Sequence, residues 1–263
     1  MCICTPDLVE RVVALVRQTG VLLTQRPDPQ AIQAKSATDY VTNVDLAVED
    51  TLREALAELA PQVQFMGEEE GHSDLDPARP FWILDPVDGT TNFIHNYGHS
   101  AISLALAEDG QVVFGVVYNP YRQECFTAVR GQGAQCNGRP IQVSTAPHLS
   151  DSLVAVGTVP GHRELGQQAF AQMWAVYNAC QDIRRSGSAS LDLCDVACGR
   201  VDGYLELYLQ PWDYAAGSLI LAEAGGCATG LDGAPLCLTK GGPLLSSNGR
   251  IHTALLELLE RSN

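Results

Sequence analysis

FWILDPVDGTTNF, residues 81–93, runs four bulky apolar residues straight into Asp85, a proline, Asp88, a glycine and two threonines. The apolar run reads as a buried strand. Pro86 fixes its own φ and Gly89 permits a positive φ, so the chain is expected to bend sharply where the strand ends. The bend can aim Asp85 and Asp88 at one point and expose the Val87 carbonyl between them. Beyond Gly89, the amides of Thr90 and Thr91 can open a helix, whose N-terminus favours phosphate. Taken alone, D-P-x-D-G is also ordinary turn chemistry.

The rest of the chain narrows the choice. It has 263 residues, 46% of them hydrophobic, enough for one large domain or two small ones. No apolar run reaches the roughly 18 residues of a membrane span. The N-terminal stretch MCICTPDLVERVV has no basic region ahead of a separate apolar core, so no signal peptide is expected. Nine irregularly spaced cysteines without a C-x-x-C read as reduced thiols. The cytoplasm is therefore the expected location. A formal net charge of −15 repels phosphate backbones, and no Lys/Arg block offsets it, so direct nucleic-acid binding is not expected.

Along the chain, apolar positions at helical spacing predict a first helix over 7–25. Thr42 and Asp45 form a capping-box pattern ahead of a second helix that ends before Pro61. Strands are expected at 63–67 and 81–84, then a four-stranded antiparallel meander over 100–144 with turns at Asp109-Gly110 and Asn137-Gly138. A soft boundary near 145–152 divides an N-terminal half, 1–145, from a C-terminal half, 146–263, the two forming one compact unit. The second half alternates: strand 153–157, helix 164–180, short helix 189–198, strand 203–207, helix 213–224 and a last helix 251–260. Mixed elements with an antiparallel component imply an α/β (α+β) fold rather than a purely parallel sheet.

Two more acidic segments accompany residues 81–93. MGEEEG, 66–71, places carboxylates just after a strand and a glycine, though a solvated acidic loop reads the same way. PWDYAAG, 211–217, places Asp213 at a helix start among small residues that let the helix pack close, and a plain capping aspartate would look alike. Together these hard oxygen donors, without His or Cys, suit Mg²⁺ rather than Zn²⁺. Two such ions can activate a water, hold a phosphoryl oxygen and stabilise a leaving oxygen.

GEE at 67–69, DPVDGTTNF at 85–93 and WDYAAG at 212–217 resemble the signature motifs of the inositol monophosphatase family. GVVYNP, RGQGAQCNGRPIQVS and RRSGSASLDLCDVACGRVDGYLE are similar to its bacterial members, so the likeness covers almost the whole chain. The resemblance implies a layered α-β-α-β-α sandwich of the sugar phosphatase type, with mixed and antiparallel sheets. It implies Mg²⁺-dependent hydrolysis of a small phosphorylated polyol, most directly myo-inositol 1-phosphate, with two to three Mg²⁺ per site, Li⁺ sensitivity and a homodimer. By position, Glu68, Asp85 and the Val87 carbonyl would hold a first metal. Asp85, Asp88 and Asp213 would hold a second, and a weaker third would lie near Glu68. Thr90 and Asp45 match the pair that activates the attacking water, and the amides of Gly89 and Thr90 would cradle the phosphate. Ser188 and Ala189 fall in the substrate-side loop, Glu206 matches the carboxylate that binds substrate hydroxyls, and Lys35 lies in a segment resembling the mobile loop over the metals.

Several positions depart from the pattern. Tyr208 follows Glu206-Leu207 where a small residue is usual, and Gly98 stands where relatives often carry proline. GEEEG leaves Glu68 and Glu69 as rival ligands, of which the first after the glycine is favoured. A haloacid-dehalogenase-type phosphatase also places D-x-D-G-T after a strand, but here the aspartates are three apart, which would misplace the acid relative to the nucleophile. Within the family, fructose 1,6-bisphosphate, NADP, 3′-phosphonucleotides and histidinol phosphate are alternative substrates. Some bacterial relatives act as accessory factors in transcription and ribosomal RNA processing, a non-catalytic alternative.

Overall fold

The computed structural model describes residues 3–25, 33–34, 40–69 and 75–262. Helix α1, Pro6–Thr19, starts where the Thr5 side chain accepts the Leu8 amide and Pro6 opens the first turn. It buries Leu8, Val12 and Val16 and continues as a 3₁₀ turn, Gly20–Thr24. Strands β1, Gln33–Ala34, and β2, Tyr40–Val41, form a small antiparallel pair. Helix α2, Asn43–Leu59, begins with the expected capping box: Thr42 accepts the Val44 amide at 3.1 Å, and Asp45 accepts the Thr42 amide at 3.0 Å.

The first large sheet has seven strands in sequence order. They are β3, Gln64–Gly67; β4, Phe81–Asp88; and, after the short helix α3 at Thr90–Ile94, β5, Ala101–Glu108; β6, Gln111–Asn119; β7, Glu124–Val129; β8, Ala134–Cys136; and β9, Arg139–Pro140. The β3–β4 pair is parallel and every later pair is antiparallel, so the expected meander is present and extends further on both sides. β4 is buried along its whole length, because it has a strand on each side and both faces of the sheet are covered there. Trp82 and Leu84 pack with α1 and α2, while Phe81 and Ile83 join the core on the opposite face.

The second half supplies β10, Leu153–Val156; α4, Gly166–Ala179; β11, Asp182–Arg184; α5, Ala189–Ala197; β12, Gly203–Leu209; α6, Pro211–Glu223; β13, Cys227–Thr229; β14, Gly242–Ser247; and α7, His252–Glu260. Its mixed five-stranded sheet runs β11-β10-β12-β14-β13, with parallel pairs around β10 and antiparallel pairs around β14. Three of these strands, β11, β13 and β14, were not among the sequence expectations. α6 also starts two residues earlier than expected, with Pro211 at its first turn.

Three buried clusters define the layers. One joins α1 and α2 to the first sheet, and one joins the other face of that sheet to α5, α6 and the second sheet. The third joins the outer face of the second sheet to α4 and α7. The order is α-β-α-β-α, and the middle cluster spans both halves of the chain. The small residues of α6 allow a close approach. A Cβ built on Gly115 of β6 would lie 2.9 Å from the Ala216 carbonyl oxygen.

Candidate active site

The strand expected to stop at Leu84 runs on to Asp88, with a register shift against β5 between Asp85 and Asp88. Asp85 pairs with Ser103 and Asp88 with Ala101, so three steps on β4 match two on β5. Pro86 offers no N–H to the ladder, which makes this the natural place for a bulge. In an unbroken strand residues three apart point to opposite faces. The extra residue removes that opposition, and both carboxylates come within electrostatic reach of Asp213. Gly89 follows at φ +90°, as the sequence required, and turns the chain into α3.

Each acidic side chain is positioned by local structure. Asp213 is the third residue of α6 and accepts the Gln210 amide at 2.6 Å. Asp85 Oδ1 accepts the Val87 amide at 2.9 Å. Asp88 is held from α5: the hydroxyls of Ser188 and Ser190 donate to Oδ2, and the Ala189 amide donates to Oδ1 at 3.1 Å. Thr90 Oγ1 donates to the Val87 carbonyl at 3.0 Å and reaches Asp45 Oδ1 at 3.4 Å. Asp45 thus serves as helix cap and as partner of Thr90 at once. Glu68 follows β3, its amide bonded to the Leu84 carbonyl at 3.2 Å, and Glu69 donates its amide to buried Glu49 of α2 at 3.1 Å.

Burial raises the Asp85 carboxyl well above the usual carboxylate range, and Glu68, Asp88 and Asp213 raise it further. Burial does the same to Asp213, with Asp88 and Glu68 adding. Asp88 is raised by burial against the opposing effect of its serine donors. Burial brings Asp45 up to about 6, with Thr42 opposing and Glu69 adding a smaller push. Glu68 is among the neighbours that raise Asp85 and Asp213, Glu69 raises Asp45, and both border one cavity.

These groups border a cavity of about 580 Å³. Glu68, Asp88, Gly89, Thr90, Ser188, Ala189, Glu206 and Asp213 line it, and Asp85, Val87 and Asp45 lie behind that lining. Lys35 falls outside the described residues. Among the described residues, Arg185 is the one Arg or Lys of the lining, and its Nη2 donates to Thr158 Oγ1 at 2.9 Å. Also among the described residues, no three His, Cys, Asp or Glu side chains form a ready-made metal shell. Asp88 accepts from two serine hydroxyls, Asp213 from the Gln210 amide and Asp85 from the Val87 amide. The donor set nevertheless fits Mg²⁺: it is all oxygen, Asp85 and Asp88 are buried with Glu68 and Asp213 half-buried, and the Asp85 carboxyl is disfavoured in its charged form until positive charge arrives.

Residues 7–263 match the model of the inositol monophosphatase family. The chain belongs to that family. The Nus factor SuhB of Escherichia coli is 39% identical over 247 residues, covering 93% of this chain and 92% of that protein. An inositol-1-monophosphatase of Synechocystis is 42% identical over 233 residues, covering 88% and 80%. A solved inositol monophosphatase from Anabaena superposes with a TM-score of 0.86 at 35% identity, over 98% of this chain and 96% of that one. These likenesses fit the five layers described above.

Sequence reasoning missed Ser190, whose amide and hydroxyl both reach Asp88 across 102 positions of sequence. No local pattern reports such a contact. It also missed Tyr204, which shares with Glu206 one face of β12 and bonds to it. Their spacing of two was the available signal. Tyr208 does line the cavity, and its ring lies 4.0 Å from that of His162. Among the described residues no helix is long and apolar enough to cross a membrane.

Proposed function

We propose that the protein hydrolyses a small phosphate monoester, most directly myo-inositol 1-phosphate, in a Mg²⁺-dependent reaction. The observation that carries this reading is the trio Asp85, Asp88 and Asp213, the first two buried and the third half-buried, none paired with a Lys or Arg among the described residues, beside a cavity bordered by Gly89 and Thr90. Glu68, Asp85, the Val87 carbonyl, Asp88 and Asp213 would hold two Mg²⁺, with a weaker third near Glu68. Bound Mg²⁺ supplies positive charge and Lewis acidity at the phosphoryl group.

The chain's own groups do the rest. Thr90 Oγ1 and Asp45 Oδ1, 3.4 Å apart, orient a water in line with the phosphorus. Asp45 Oδ1 takes its proton, a task suited to a carboxyl raised to about 6. The amides of Gly89 and Thr90 hold phosphate oxygens, and Glu206 accepts from hydroxyls of the leaving group. No side-chain nucleophile is required. The test is phosphate release from myo-inositol 1-phosphate, fructose 1,6-bisphosphate, NADP, a 3′-phosphonucleotide and histidinol phosphate, with and without Mg²⁺. Mg²⁺-stimulated release fastest from the inositol ester is expected, and no stimulated release from any of them would defeat the reading.

The E. coli relative is a Nus factor, which favours a second reading in which the fold serves as a binding accessory. An Asp88→Asn variant without turnover that still binds transcription proteins would support it. The homodimer implied by the family resemblance has a candidate surface on α4. There Phe170, Trp174 and Tyr177 recur on one helical face, each about half exposed or more. Light scattering at about twice the 28.2 kDa chain mass is expected, and a monomer would contradict it.

A further inference from the structure

Glu206 is held with unusual care for a residue that only borders a cavity. The Tyr204 hydroxyl donates to Oε2 at 2.6 Å, and the Val159 amide donates to Oε1 at 2.9 Å. Tyr204 is almost completely buried, on the same face of β12 as Glu206. Val159 reaches the carboxylate from the loop after β10 at φ +43°, a left-handed conformation that β-branched residues rarely adopt. Strain of this kind persists where the surroundings impose it. Gly157, on the same loop, leaves room: a Cβ there would collide with the Glu206 carboxylate. Three separate features, a buried hydroxyl, a strained amide and a missing side chain, therefore converge on one carboxylate.

An ionised carboxylate has about four acceptor positions and no donor. Tyr204 and Val159 occupy one on each oxygen, and the remaining capacity belongs to a group that lines the cavity. Such a site accepts from O–H groups and leaves a buried carboxylate under-satisfied when the leaving group lacks them. We infer that Tyr204 is a positioning residue that acts through Glu206, and that its hydroxyl makes the cavity select phosphate esters of polyhydroxylated rings over esters of bare hydrocarbon rings. This rests on the phosphomonoesterase reading. A purely structural Tyr204, donating only because a buried hydroxyl needs a partner, would change all substrates alike.

The test compares Tyr204→Phe with the parent on myo-inositol 1-phosphate and on cyclohexyl phosphate, a ring of the same size without hydroxyls, both with Mg²⁺. The ratio of kcat/KM between the two esters is expected to fall about tenfold, carried mainly by KM for the inositol ester. A ratio within about twofold of the parent's overturns the inference, since lost hydroxyl recognition is expected to cost more than that. If Tyr204→Phe does not fold, Tyr204→Met, which also removes the hydroxyl that donates to Glu206, is read the same way and is expected to lower the same ratio; an unchanged ratio overturns the inference. A parent that releases phosphate from neither ester brings down the phosphomonoesterase reading itself and the inference with it, an outcome distinct from unaltered selectivity in an active variant.

Discussion

Asp85→Asn is expected to lower Mg²⁺-dependent phosphate release by about a thousandfold, equivalent to roughly 4 kcal/mol of transition-state stabilisation. The same variant should raise the melting temperature of the metal-free protein near neutral pH. The two effects have one cause. Asp85 is buried and pressed by the charges of Glu68, Asp88 and Asp213. Replacing its carboxylate with an amide removes a charge that the fold disfavours and that the cations require. The amide oxygen can still accept the Val87 amide, as Asp85 Oδ1 does at 2.9 Å, so the bulge of β4 should survive. Steady-state kinetics and thermal melts check both halves. Activity within tenfold of the parent, or a lowered metal-free melting temperature, would count against the cluster as a cation site.

The metal-free protein is expected to lose stability as pH rises from about 4 through about 6. Asp45 carries the clearest part of this: its carboxyl ordinarily titrates at 3.8 and in the fold at about 6. Between those values the folded chain binds more protons than the unfolded one. The extra stability is therefore complete below the unfolded value and is lost as pH climbs through the folded one. A shift of this size corresponds to roughly 3 kcal/mol. Asp85, Asp88 and Asp213, also raised, add in the same direction. Mg²⁺ should oppose the trend, because it competes with protons for the oxygens of Asp85, Asp88 and Asp213. At about a hundred times its dissociation constant it should stabilise the fold by about 2.7 kcal/mol, raising the melting temperature by about 5–10 °C. That shift should be larger at roughly pH 7.5 than at roughly pH 5, because fewer protons then compete with the cation for these carboxylates. Melts across pH with and without Mg²⁺ measure it, and a metal-free protein that gains stability with rising pH over this range would contradict the assignment.

Much of the site could be read from short-range chemistry. Asp85-Pro86 and Asp88-Gly89 are readable because Pro and Gly act locally, and the capping pattern of Thr42 and Asp45 is complete within four residues. The bulge was less legible: the sequence suggests a strand that stops before Pro86, whereas β5 pairs past the proline and carries β4 to Asp88. β14 was missed because Gly242 and Pro243 at its start look like a loop. It is a strand because β12 on one side and β13 on the other supply its partners. The serines that hold Asp88 and the loop that holds Glu206 are long-range contacts, made by packing two sheets around α5 and α6. Local periodicity has no means of reporting them.

The central claim is that Glu68, Asp85, Asp88 and Asp213 gather divalent cations beside the Gly89–Thr90 turn. Its most direct test is anomalous diffraction from crystals of the parent and of Asp85→Asn grown with Mn²⁺ and phosphate. The account predicts strong anomalous peaks between these carboxylates and an adjoining phosphate in the parent, with the peaks lost or much reduced in the variant. A parent crystal with phosphate elsewhere and no peak among the four carboxylates would contradict it.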